Sequence, residues 1–162
     1  MRETIQLKVV TYTGEALKID IKELYIPAFN GQAGILQNHK PYISLLKAGE
    51  MSYTDSFDKK FHLYIRGGVI EVIDNKVSVI CDSMEKIEAK NKKEIEDKLA
   101  ELDKKIKALG KIEAGLSQDE IVKVPVELAK TLEEQKEFQI KMKIIRDIEA
   151  KSRPFLKEGI TG

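Results

Sequence analysis

Two spacings of apolar residues divide the chain near residue 86. Before it, apolar and polar positions tend to alternate. Ile5, Leu7 and Val9 alternate with Gln6 and Lys8, Ile19 and Ile21 stand between charged residues, and Phe61, Leu63 and Ile65 alternate with His62, Tyr64 and Arg66. A period of two buries one face of a strand, which puts His62 on the solvent face with no role. Thr13-Gly14 ends the first run. Asp74-Asn75 separates Val69-Ile70 from Val77–Ile80, and both residue types tolerate the positive φ of a tight hairpin turn. Gly67-Gly68, just before that hairpin, predicts a bend or bulge. About ten short strands at this spacing predict a β-sandwich or barrel over residues 1–86.

After residue 86 the period lengthens. Ile95, Leu99, Leu102, Ile106 and Leu109 step by four and three, an apolar stripe along one helix. Glu94–Lys98, Glu101–Lys105 and Asp103–Lys107 sit four apart in the favourable order. Gly110 is a stop signal, and Ser117 to Glu120 has capping-box spacing. Pro125 is best tolerated at a helix start, so the second helix is expected to begin there. Its stripe runs through Leu128, Leu132, Phe138, Met142, Ile145 and Ile148, is interrupted at Gln135, and should end at or before Pro154. Two such helices with a short connector predict an antiparallel hairpin over residues 87–162. The fold class is thus a β-sandwich followed in sequence by a two-helix hairpin.

Composition sharpens the division. Residues 1–86 hold 11 Lys/Arg and 11 Asp/Glu, and residues 87–162 hold 17 and 16, so charge density rises while the balance stays near zero. The net charge of +1 argues against a nucleic-acid binder that relies on bulk charge. One cysteine cannot form an intrachain disulfide, and one Cys with two His nearly excludes a zinc site of ordinary ligands. The N-terminal residues lack the apolar core of a signal peptide, and no apolar run reaches the roughly 20 residues that span a bilayer.

Candidate chemistry is sparse. His39 sits in a loop beside Asn38 and Lys40-Pro41. A catalytic triad would need a nucleophile and an orienting acid, and no spacing links Ser44 or Asp20 to His39. A contact histidine is the better reading. Gly31 and Gly34 fit neither a phosphate loop nor a dinucleotide fingerprint. From Phe138 onward, Lys141, Lys143, Arg146, Lys151, Arg153 and Lys157 outnumber Asp147, Glu149 and Glu158. Such a basic helix end suits an acidic partner surface or solvent alike.

The stretch "GQAGILQNHKPYISLLKAGEM" resembles the loop-and-strand signature of the epsilon subunits of F-type ATP synthases, with Gly31, Gly34, Leu36, His39, Pro41, Tyr42 and Gly49 at matching positions. "IRGGVIEVIDNKVSVICDS" resembles the second signature of that family through Gly67, Gly68, Glu71, Val72, Asn75, Val77, Val79 and Asp82. The departures are Gln32 for the usual Glu, Gln37-Asn38 for Pro-Gly, Ala48 for Pro, and Cys81 for a small Ala.

The resemblance implies a non-catalytic rotor subunit in the central stalk of a proton-translocating ATP synthase, coupling ion flow to ATP synthesis. It implies a sandwich that contacts the gamma subunit and the c-subunit ring, with Gln32, Asn38, His39 and Tyr42 as contact residues. It implies a hairpin that can extend toward the alpha and beta catalytic subunits and inhibit hydrolysis. The charge excess then points to Lys141, Lys143 and Arg146 as docking residues. The implied address is peripheral, on the cytoplasmic face of the cell membrane. No cofactor or metal is implied. Relatives that bind ATP do so through arginines, and no arginine lies between Arg66 and Arg146, so family-type ATP binding is not expected. A free-standing interaction adaptor and a nucleotide-sensing module remain alternatives.

Overall fold

A computed structural model describes residues 4–110 and 118–152. The chain divides into two compact units between Ile87 and Glu88.

The first unit has seven strands: β1 (Ile5–Thr11), β2 (Gly14–Ala28), β3 (Gly31–Leu36), β4 (Tyr42–Asp55), β5 (Lys60–Ile73), β6 (Lys76–Cys81) and β7 (Met84–Ile87). There are fewer and longer strands than the pattern predicts, because β2, β4 and β5 run 15, 14 and 14 residues and change partners along their length. β2 pairs with β1 through Ile21 and then with β3 and β4. β5 pairs with β7 from His62 to Ile65 and with β6 from Gly68 to Ile73. β1 pairs antiparallel with β2 and parallel with β6, so the path β1-β6-β5-β4-β2 closes on itself, and β3 lies at the end of the strand order.

Gly67-Gly68 marks the point where β5 exchanges one neighbour for the other. Both residues have positive φ, 96° and 152°. A Cβ on Gly68 would overlap the carbonyl oxygen of Ile80, and one on Gly67 would stand 3.1 Å from the carbonyl oxygen of Leu46. Only glycine lets three backbones approach so closely there.

Most inward residues are those the alternation selects, with His62 and Tyr64 of β5 buried contrary to it. Leu7, Val9, Ile21, Leu24, Ile26, Met51, Ile65, Ile70 and Val79 are fully buried in one core, each contributing about 1.5–3 kcal/mol of apolar burial. Cys81 fills a small buried position beside them.

His62 departs from the expectation. It is 8% exposed, and its Nδ1 lies 2.6 Å from Oε1 of Glu50. Its cross-strand neighbours are Ser52 of β4 and Ile87 of β7, both buried. Here β5 has a strand on each side, and a period of two does not tell an open face from a covered one.

The second unit begins with a 3₁₀ turn, Ala89–Asn91, in which Asn91 Oδ1 accepts from the Glu88 amide at 3.0 Å. Helix α1 spans Lys92–Gly110 and α2 spans Gln118–Lys151. α2 therefore starts upstream of Pro125, and its backbone runs helically through that residue. A proline lacks the N–H for one i→i−4 bond, and seven helical residues on its N-terminal side remain. Ser117 and Pro154, read as cap and stop, lie outside the described residues.

On α1 the expected stripe holds: Ile95, Leu102 and Leu109 are buried, and Leu99 and Ile106 half-buried. On α2 it shifts. Leu132 turns outward at 39% exposure and Thr131 is buried. Gln135 does not break the seam. Its Nε2 donates to Asp103 Oδ1 on α1.

Candidate protein-interaction surface

The loop that carries His39 is built from two turns clasped together. Residues 37–41 join β3 to β4, and Asp74-Asn75 join β5 to β6. Asp74, Asn75 and Asn38 all adopt positive φ, 49°, 59° and 62°. Two consecutive positive values give the tight hairpin that Asp-Asn tolerates. The Asn38 amide donates to Asn75 Oδ1 at 2.6 Å, and Asn75 Nδ2 donates back to Asn38 Oδ1 at 3.2 Å. The pair ties the β3–β4 loop to the β5–β6 turn.

His39 stands beside this clasp, half-buried. Its amide donates to the Leu36 carbonyl at 3.1 Å. Its ring packs edge-on against Tyr42 with centroids 5.6 Å apart. Nδ1 lies 2.8 Å from the Lys40 carbonyl oxygen, which can only accept. Nδ1 is therefore the protonated nitrogen, and Nε2 of a neutral ring is left as an acceptor. The Ser44 hydroxyl donates to the Leu45 carbonyl at 3.0 Å rather than to His39. Asn38, His39, Lys40, Pro41, Asp74 and Asn75 line an open depression. This geometry leaves polar groups at the surface.

Of the four residues expected to make partner contacts, the fold gathers Asn38, His39 and Tyr42. Gln32 stands at the other end of β3, opposite Pro27 and exposed. The β2–β3 turn beside it displays Phe29, 60% exposed, with the Lys47 ammonium 5.1 Å from its ring centroid.

A second feature was not read from the sequence. Leu45, Val69 and Ile80 are direct cross-strand neighbours on β4, β5 and β6, and Val10 of β1 continues the row. Leu45, Val69 and Ile80 are 60%, 40% and 62% exposed, and Ile43, two residues before Leu45, is 70% exposed. Each has a buried partner next in sequence: Leu46, Ile70 and Val79. The signal was therefore present as the apolar doublets Leu45-Leu46, Val69-Ile70 and Val79-Ile80. A strand with one wet face needs one apolar residue of each two. Doublets give both faces apolar residues, and here they leave a contiguous apolar row facing outward.

The three cations assigned to docking do not share a surface. Lys143 and Arg146 are exposed. Lys141 is 3% exposed, with Nζ 2.8 Å from Glu137 Oε1 and 4.5 Å from the Phe138 ring centroid. Its place on α2 puts it on another face from Lys143: residues 141 and 143 are about 200° apart around a helix of 3.6 residues per turn.

Comparison with known proteins follows the same division. The model of the ATP synthase delta/epsilon chain β-sandwich domain matches residues 4–87. An ATP synthase epsilon chain of Nitratidesulfovibrio vulgaris (strain DP4) is 32% identical over 113 residues, covering 65% of this chain and 84% of the relative. One of Desulfitobacterium hafniense (strain DSM 10664 / DCB-2) is 39% identical over 85 residues, covering 52% and 64%. In fold the chain is similar to one in the cryo-EM structure of the Euglena gracilis mitochondrial ATP synthase, OSCP/F1/c-ring in rotational state 1. The TM-score is 0.57 at 18% identity, over 94% of this chain and 84% of that one. A sandwich matched along its whole length, together with a relative covered over most of its own, places this chain in the ATP synthase delta/epsilon family.

Proposed function

We propose that this chain is the epsilon subunit of a rotary ATP synthase, a non-catalytic part of the central stalk that couples ion flow to ATP synthesis. Its sandwich packs on the gamma subunit and meets the c-subunit ring. The observation that carries this reading, beyond family membership, is the outward apolar row Leu45–Val69–Ile80 beside a stiffened polar loop. Torque transfer asks for a wide, well-packed contact with apolar anchors. The row supplies the anchors for gamma. Asn38, His39 and Tyr42 at one end of β3, and Gln32 at the other, supply polar contacts for gamma and the ring. No helix among the described residues is long and apolar enough to cross a membrane. The proposed location is peripheral, at the cytoplasmic face of the cell membrane, held there by the complex.

Affinity purification of the tagged chain from detergent-solubilised membranes tests this reading. Gamma and c subunits should co-purify in fixed proportion. A preparation that contains the intact synthase but leaves the tagged chain outside it would overturn the assignment.

The hairpin is proposed as a regulatory element that docks on acidic parts of the alpha and beta subunits through Lys143 and Arg146, with Lys141 held inside by Glu137. Reversing both exposed charges should relieve inhibition of ATP hydrolysis in the assembled complex. Unchanged inhibition would remove this role and leave the stalk assignment standing.

A further inference from the structure

Along the hairpin, the acidic side chains of α2 that reach α1 meet lysines. Lys92 Nζ is 3.2 Å from Glu149, Lys98 is 3.5 Å from Glu134, and Lys105 is 3.4 Å from Glu127. Lys98 and Lys105 are one heptad apart on α1, as are Glu127 and Glu134 on α2. A polar rung joins Asp103, which lies between the two lysines, to Gln135, next to Glu134. One edge of α1 is thus cationic and the facing edge of α2 anionic, in antiparallel register.

Apolar burial is distributed differently. Over residues 126–151 of α2 the buried apolar residues are Met142, Ile144 and Ile145. From Val126 to Ile140 no apolar residue is fully buried: Thr131 takes that position, and Val126 and Leu132 point outward. Over residues 126–140 the apolar residues Leu128, Phe138 and Ile140 are only half-buried, and two of the three charge pairs fall on this stretch.

We propose that charge pairing fixes the register of residues 127–136 against α1, so that ionic strength sets how tightly this stretch is held, while Met142–Ile145 stays packed. The side chains in the pairs Lys98–Glu134 and Lys105–Glu127 are 33–53% exposed, and salt screens exposed pairs far more than buried ones. A polar helix segment freed from its partner is marginal in water, so loosening shows as helix opening. The same code defines what can replace α1 on this stretch of α2: a helix that presents cations one heptad apart.

Amide hydrogen exchange on the isolated full-length chain tests this directly and does not depend on the stalk assignment. Raising KCl from about 0.05 M to about 1 M should speed exchange across residues 127–136 about tenfold. Residues 142–148 and the sandwich core should change little. The variant Lys98→Glu with Lys105→Glu should reproduce the effect at low salt. Adding Glu127→Lys and Glu134→Lys to that variant should restore protection, because the pairs reform with their signs exchanged. Salt-independent exchange in residues 127–136 would overturn the proposal. So would a fourfold variant no better protected than the double one, since a merely damaged helix surface would not recover.

Discussion

Asn38 and Asn75, 37 positions apart, hold two turns together through a reciprocal pair of hydrogen bonds at 2.6 and 3.2 Å, each residue in the left-handed conformation. The clasp fixes the platform on which His39 and Tyr42 stand. Asn75→Ala removes the amide and places an alanine at positive φ. It should lower stability by about 2 kcal/mol in urea unfolding. Asn75→Gly relaxes the backbone and loses only the amide, so it should lower stability by about 1 kcal/mol. An Asn75→Gly variant as stable as the parent would mean the side-chain pair contributes nothing.

Gly68 and Gly31 give a graded pair. Both have positive φ, 152° and 124°, but a Cβ on Gly68 overlaps Ile80 whereas one on Gly31 meets open space. Gly31→Ala should be tolerated at a cost of about 1 kcal/mol. Gly68→Ala must also push β5 away from β6, and should cost about 3 kcal/mol or more, or leave the chain unfolded. Thermal melts of the two variants should differ sharply.

Leu45→Asp with Ile80→Asp tests the outward row. Both side chains are 60% or more exposed, so the isolated chain should keep its stability within about 0.5 kcal/mol per site. Retention in the stalk complex should fall at least about tenfold, measured by co-purification of gamma. If the variant assembles as well as the parent, the row is not the interface.

Alkaline pH should weaken the sandwich. Burial, then the charge of Asp82, raises the Cys81 thiol above its usual value near 9.0, and burial, then Asp55, raises the Tyr53 phenol above 10.0. Both groups are neutral when protonated, so folding favours the protonated form. The stability they contribute is fully present below their unfolded values and is lost as pH rises through the higher folded ones. Urea midpoints should hold from neutral pH to about pH 9 and then fall. Cys81→Ala should flatten the early part of that fall. At neutral pH a thiol reagent should label Cys81 only as the protein unfolds.

Much of the sandwich was legible locally. The alternation along β1 and β6, the Asp74-Asn75 turn and the glycine pair in β5 each state their geometry within a few residues. The strand count was not, because β2, β4 and β5 remain continuous while their neighbours change, and a change of neighbour leaves no break in the alternation. The outward apolar row was visible as doublets but could not be assembled from them. Leu45, Val69 and Ile80 become neighbours only through the registers of β4 with β5 and of β5 with β6.

The sequence alone determined which residues could be inside, where tight turns had to fall, that a two-helix unit follows the strands, and which family the two signatures resemble. These properties rest on period, on backbone freedom and on residue type, all of which are local. Tertiary structure decided the rest. It buried His62 against Glu50 between two neighbouring strands, and it enclosed Lys141 while leaving Lys143 in solvent. It also turned Gln135 from an interruption into a rung of the helix pair. In each case the outcome depends on what a distant segment places opposite the residue, and no window of sequence around the residue contains that information.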